Sequence, residues 1–238
     1  MIHWLIQSAR QHTELARGVA PSGLLNAAEE TQFNLLKTSK RRRDWLLGRW
    51  TVKHLVRACL EQDRYLRLPL NAIAIYNDMD GSPHVMAGCG ASTAEWAVSI
   101  SHSNSHAFCA ATPRLIGLGA DIECIGSREW SFVEDFFTPD EITRVGRAPL
   151  DRRATIVTAI WSAKEAALKA LHLGLTIDTR RISCTIDPGV SPPNQWLEFT
   201  MQCTLGCQAT LRGWWRVWNE HVLVIATRQS ASLITSDA

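Results

Sequence analysis

The sequence predicts an α+β fold made of two comparable halves, each a helical region followed by antiparallel strands. Three observations predict it. A stretch with apolar residues at helical spacing occurs in each half. Short apolar runs bounded by turn residues follow each stretch. This order runs twice along the 238 residues. Such a length suits one domain or two small ones. The boundary falls near Leu115, giving subdomains 1–114 and 115–238, although no clear sequence repeat accompanies the pattern.

In the first half, residues 26–61 read as mostly helical, with Leu46, Leu47, Trp50, Leu55 and Val56 as apolar positions. Arg49 and Lys53 stand four apart and share a helical face. Strands are expected over 72–76, 95–100 and 106–112, with a turn at Asp78-Met79-Asp80-Gly81-Ser82-Pro83 and a polar loop at Ser101-His102-Ser103-Asn104-Ser105. The second half opens with a strand over 116–123. A helix starts at Thr138, the expected N-cap, with Pro139 at N1 and Glu141 at N3. A long helix follows over 153–173, closed by Gly174. Strands are expected over 182–186, 196–201, 207–217 and 222–227, and the polar tail after Gln229 is expected to fray.

Composition narrows the function classes. A hydrophobic content of 46% is enough for a real core, and a net charge of +2 carries no global nucleic-acid signal. No stretch approaches the roughly 18 uninterrupted apolar residues of a membrane-spanning helix. The first ten residues lack the charged start and apolar centre of a signal peptide. The seven cysteines have no CxxC spacing and no joining histidine cluster, so they read as buried reduced thiols in a cytoplasmic protein. The ten tryptophans read as core or pocket walls.

Two elements stand out chemically. In Gly119-Ala120-Asp121-Ile122-Glu123 the two acids are at i and i+2 of a strand, on one face, with alpha carbons about 6.6 Å apart. They can converge on one cation, and magnesium prefers oxygen ligands while keeping positions for water and phosphate. A solvated strand face explains the same pair by itself. In Trp161-Ser162-Ala163-Lys164-Glu165-Ala166-Ala167-Leu168-Lys169, Glu165 and Lys169 lie one helical turn apart, a spacing equally suited to a surface ion pair. Lys164 points elsewhere. The loop around Ser101 and His102 offers donors to a phosphate, although loop histidines are commonly just solvated. The basic helix of residues 40–53 is by default a solvated face that could also grip a phosphate. A Ser–His hydrolase lacks its Gly-x-Ser-x-Gly elbow.

Four motifs occur in an order that resembles the 4′-phosphopantetheinyl transferases: Val98-Ser99-Ile100-Ser101-His102-Ser103, Gly117-Leu118-Gly119-Ala120-Asp121-Ile122-Glu123, Phe136-Phe137-Thr138-Pro139-Asp140-Glu141 and the Trp161–Lys169 helix motif. Upstream, Arg42-Arg43-Asp44-Trp45-Leu46-Leu47-Gly48-Arg49 and Asp80-Gly81-Ser82-Pro83 resemble the N-terminal motifs of the single-chain, surfactin-synthetase-activating class. The resemblance implies a pseudo-dimer of two similar subdomains with the active site in the cleft between them. It implies transfer of 4′-phosphopantetheine from coenzyme A to a serine of an apo acyl or peptidyl carrier protein, releasing 3′,5′-ADP. Asp121, Glu123 and Glu165 would hold magnesium, or manganese in its place. Glu165 would also be the general base, and Lys169 would sit at the pyrophosphate. Ser101 and His102 would contact coenzyme A phosphates, with Arg43 and Arg49 near the 3′-phosphate.

Two departures accompany the resemblance. Gly81-Ser82-Pro83 stands where many members have Gly-Lys-Pro, so a cationic contact is missing or falls to Arg41, Arg42 or His84. Ala120 replaces a larger β-branched residue, which reads as a packing change. The expected protein is a monomer with no membrane or nucleic-acid partner. The competing readings are a non-catalytic coenzyme A or carrier-protein binding module and a basic-helix nucleic-acid binder, the latter disfavoured by the small net charge.

Overall fold

In the computed structural model the described residues are 1–64, 67–78, 81–89, 92–112, 117–174, 177–187, 195–205 and 209–228. Asp80, Leu115, Cys207 and the tail, all part of the sequence reading, lie outside them. The described residues form two units, 1–112 and 117–228.

The first unit contains strand β1 (His3–Ser8), helices α1 (Thr13–Arg17), α2 (Ala27–Leu35) and α3 (Ser39–Arg64), and strands β2 (Ile73–Asn77), β3 (Pro83–Cys89), β4 (Ser92–Ser103) and β5 (His106–Thr112). Its sheet has the order β1-β5-β4-β3-β2, antiparallel throughout. The second unit contains β6 (Leu118–Cys124), α4 (Trp130–Phe136), α5 (Pro139–Arg147), α6 (Leu150–Ala170), β7 (Ile182–Cys184), β8 (Leu197–Cys203), β9 (Ala209–Trp218) and β10 (His221–Thr227). Its sheet order is β6-β10-β9-β8-β7, again antiparallel. The fold class is therefore α+β, two five-stranded sheets each covered by a long helix.

Each helix buries an apolar face on its own sheet. Val52, Leu55, Val56, Cys59 and Leu60 of α3 pack with Ile73, Ile75, Val85, Trp96 and Val98. Ile156, Val157, Ile160, Ala163 and Ala167 of α6 pack with Val222, Val224 and Ala226. Four of the described cysteines, Cys59, Cys109, Cys184 and Cys203, are buried, and Cys124 is half-buried; all five are thiols outside any disulfide.

The two units repeat one topology, and the repeat extends to individual side chains. In each, a capping box starts the helix before the long one: Asn26 with Glu29, and Thr138 with Glu141. In each, that glutamate also receives a buried lysine and a strand N–H. Lys53 and the Ile75 N–H meet Glu29; Lys164 and the Cys184 N–H meet Glu141. Lys53 and Lys164 therefore occupy the same place, which aligns Trp50-Thr51-Val52-Lys53 with Trp161-Ser162-Ala163-Lys164. The strands align through their last hairpins, Asn104-Ser105 between Ser103 and His106, and Asn219-Glu220 between Trp218 and His221. Asn104, Ser105 and Asn219 have positive φ, as a two-residue hairpin turn requires.

Several expectations change. Residues 26–61 are two helices, because Leu36 leaves the helical region at the end of α2. β1 and β3 were not anticipated as strands. Ser101-His102-Ser103 is the end of β4 and not a loop; the chain turns only at Asn104-Ser105. The long helix runs from Leu150 and is closed by His172, at φ 57°, with Leu173 N–H donating to Leu168 O and His172 N–H to Lys169 O. Gly174 lies beyond that closure.

Candidate metal and phosphate site

β6 lies directly against α6, and a glycine permits it. A Cβ at position 119 would come within 1.8 Å of the Ala166 carbonyl oxygen and 2.9 Å of the Ala170 nitrogen. No backbone adjustment of α6 accommodates that, so Gly119 sets the spacing that brings the strand acids to the helix.

At that contact, ligand oxygens of Asp121, Glu123 and Glu165 all lie within 4.8 Å of one another. Asp121 is buried, and the other two are half-buried. Lys169 Nζ donates to Asp121 Oδ1 at 2.8 Å and to the Ala120 carbonyl at 3.0 Å. Ser162 Oγ donates to Asp121 Oδ2 at 2.7 Å. Arg128 Nη2 lies 3.3 Å from Glu123 Oε2.

The charges are mutually costly. Burial, then the neighbouring Asp121 and Glu123 carboxylates, push the Glu165 carboxyl up to about 7, with Lys169 opposing. Burial and Asp121 also raise Glu123, against Arg128, Lys169 and the Trp161 side chain. Three crowded carboxylates of this kind hold a proton or a cation between them. The donor set is all oxygen, which suits a hard cation. Neighbouring oxygens around an octahedral magnesium ion stand about 3.0 Å apart, so the three carboxylates would draw together around the ion.

Asp121, Glu123, Glu165 and Lys169 are thus brought together. Lys169 holds Asp121, where the sequence suggested a pair with Glu165. Lys164, by contrast, is buried beneath the site and donates to Thr179 O at 2.9 Å and meets Glu141 at 2.9 Å, so it anchors α6.

The other proposed residues belong to the first unit. Ser101 is buried and His102 half-buried on β4, opposite Phe108 and Ala107. The His102 ring lies against α3 at Gly48, where a Cβ would be 2.7 Å from Nε2. Arg43 is half-buried on α3. The basic face, expected to be solvated, is partly interior. Arg49 is buried, 3.8 Å from Glu29 and 4.4 Å above the Trp45 ring, and burial lowers its pKa. Lys53 is fully buried on Glu29 and the Leu24 carbonyl. Charge spacing along a helix identifies a shared face but not whether another helix covers it. His84 of the first unit sits 3.3 Å from Asp78 and stacks on Tyr76.

Sequence reasoning missed Ser162 and Arg128 as partners of the strand acids. The signal was present for Ser162, which stands two residues before Lys164 in the same motif.

Residues 117–226 match the family model described as the 4′-phosphopantetheinyl transferase superfamily. A crystal structure of a holo-ACP-synthase from Plasmodium yoelii aligns over 46% of this chain and 90% of its own, at 19% identity and a TM-score of 0.35. No curated protein matches the chain.

Proposed function

We propose, for a chain whose residues 117–226 match the 4′-phosphopantetheinyl transferase superfamily, that it moves the 4′-phosphopantetheine arm of coenzyme A onto a serine of an apo acyl or peptidyl carrier protein. The observation that carries this reading is the convergence of Asp121, Glu123, Glu165 and Lys169 where β6 meets α6.

Asp121, Glu123 and Glu165 would hold the magnesium ion. When bound, magnesium supplies Lewis-acid stabilisation of charge on the coenzyme A pyrophosphate. The chain's own residues do the rest. Glu165 accepts the proton of the carrier serine. The serine oxygen forms a bond to the β-phosphorus as the bond from that phosphorus to the bridging oxygen breaks, and 3′,5′-ADP leaves with the electron pair. Lys169, an ammonium one turn from Glu165, stabilises charge gathering on the leaving phosphate. Ser101 and His102 contact coenzyme A phosphates, His102 the 3′-phosphate, with Arg43 nearby. Arg49, committed to Glu29 and Trp45, contributes by holding α3 in place.

Purified protein incubated with coenzyme A, magnesium and a panel of apo carrier proteins tests this by intact mass. Gain of one phosphopantetheine on a carrier, with release of 3′,5′-ADP, is expected. Binding of coenzyme A with no mass gain on any carrier would convert the reading to a non-catalytic binding module.

A further inference from the structure

The two units offer a comparison within one molecule. Aligned through their hairpins and buried lysines, Asp121, Glu123, Glu165 and Lys169 of the second unit correspond to Leu5, Gln7, His54 and Ala58 of the first. The acids have no acidic counterparts. Trp161 and Ser162 do have chemical counterparts, Trp50 and Thr51.

The same positions are used differently. Thr51 Oγ1, fully buried, turns back to its own helix and donates to Leu47 O at 2.8 Å. This is the ordinary bond of a hydroxyl within a helix. Ser162, equally buried, instead donates across to Asp121 Oδ2 at 2.7 Å. Where the acid exists, the hydroxyl meets it; where it is absent, the hydroxyl turns to its own helix.

We propose that Ser162 is a positioning residue that holds Asp121 in the orientation that binds the cation. Ser162 fixes Asp121 through Oδ2 while Lys169 holds Oδ1, so the carboxylate cannot rotate about its Cβ–Cγ bond. One helix therefore supplies a ligand, Glu165, and two donors that aim a ligand of the facing strand. Outer partners of metal ligands tune affinity in this way.

The inference rests on the metal reading above, and its test separates the two. Manganese is titrated into purified protein without coenzyme A, and free ion is read by electron paramagnetic resonance. Ser162→Ala is expected to weaken binding about 10–100-fold. The counterpart change Thr51→Ala is expected to leave it unchanged. Ser162→Cys, close in shape but a poor donor, is a second variant should alanine disturb the helix, and is expected to lose affinity in the same direction. Asp121→Ala is the control for the metal site itself. If Asp121→Ala loses manganese while Ser162→Ala and Ser162→Cys bind it as wild type, the positioning role is overturned and the metal site stands. If Asp121→Ala binds as wild type, the metal reading falls, and the inference with it.

Discussion

Glu165 is the residue on which the chemistry and the electrostatics meet. Its carboxyl is pushed from 4.5 to about 7 by burial and by two neighbouring acids. Replacing it with Gln preserves shape and removes both a ligand and a base. Glu165→Gln should lower single-turnover transfer to an apo carrier by roughly a hundredfold or more, and added magnesium should recover only the part due to metal affinity. Near-wild-type turnover would leave Glu165 a structural residue. The same shift makes a pH prediction. Because the folded pKa lies above the unfolded one, the stability tied to this proton is complete below about 4.5 and is lost as pH rises through about 7. The melting temperature of metal-free protein should therefore fall across that window, and Glu165→Gln should reduce the slope. Identical pH profiles for the two proteins would contradict it. On the first unit, His102→Ala should raise the KM for coenzyme A about 10-fold or more with kcat less affected, since a phosphate contact present in ground and transition states is uniform binding. Equal weakening of coenzyme A and its 3′-dephospho form would show that His102 does not read that phosphate.

At the scale of the element, α3 and α6 are each pinned by a lysine buried on a glutamate that also caps the neighbouring helix. One carboxylate thus ties together a helix start, a long helix and an edge strand. Removing one partner leaves a buried charge uncompensated, so Lys53→Ala and Lys164→Ala should each cost about 3–5 kcal/mol in chemical denaturation. Lys164→Met combined with Glu141→Leu should cost far less than Lys164→Ala, because neither charge remains. Equal losses in the single and double variants would show that packing, and not the charge, is what the pair contributes. Gly119 belongs to the same scale, since the approach of β6 to α6 depends on a missing side chain. These locks explain why charged residues occur in helices whose remaining inward positions are apolar or alanine.

At the scale of the whole molecule, one topology is used twice and the acids occur once. A cation held by β6 and α6 should stabilise the second unit by about 2.7 kcal/mol at a hundredfold excess over Kd. Magnesium should accordingly slow amide hydrogen exchange in β6 and α6 while leaving β1 and α3 unchanged. Equal protection of both units, or of neither, would argue against a single site at Asp121, Glu123 and Glu165.

Much of this protein was determined locally and is legible in its sequence. The Thr138-Pro139-x-Glu141 helix start follows from capping chemistry, and the Asp121-x-Glu123 pairing on one strand face follows from the two-residue period. The family motifs marked the acids and Lys169 by their order along the chain. What the tertiary structure alone decided was which partner each charge takes. Arg49 and Lys53 read as a solvated basic face, yet α2 covers them, because Glu29 arrives from 24 positions upstream of Lys53 in the chain. Lys169 was spaced for Glu165 and bonds Asp121, since Gly119 lets the strand come closer than a helical turn would suggest. The duplication was legible as an order of elements, and its residue-level correspondence was not. Its strongest shared features are a buried ion pair and its cap, three residues in each unit spread over more than twenty positions, and only folding brings them to one point.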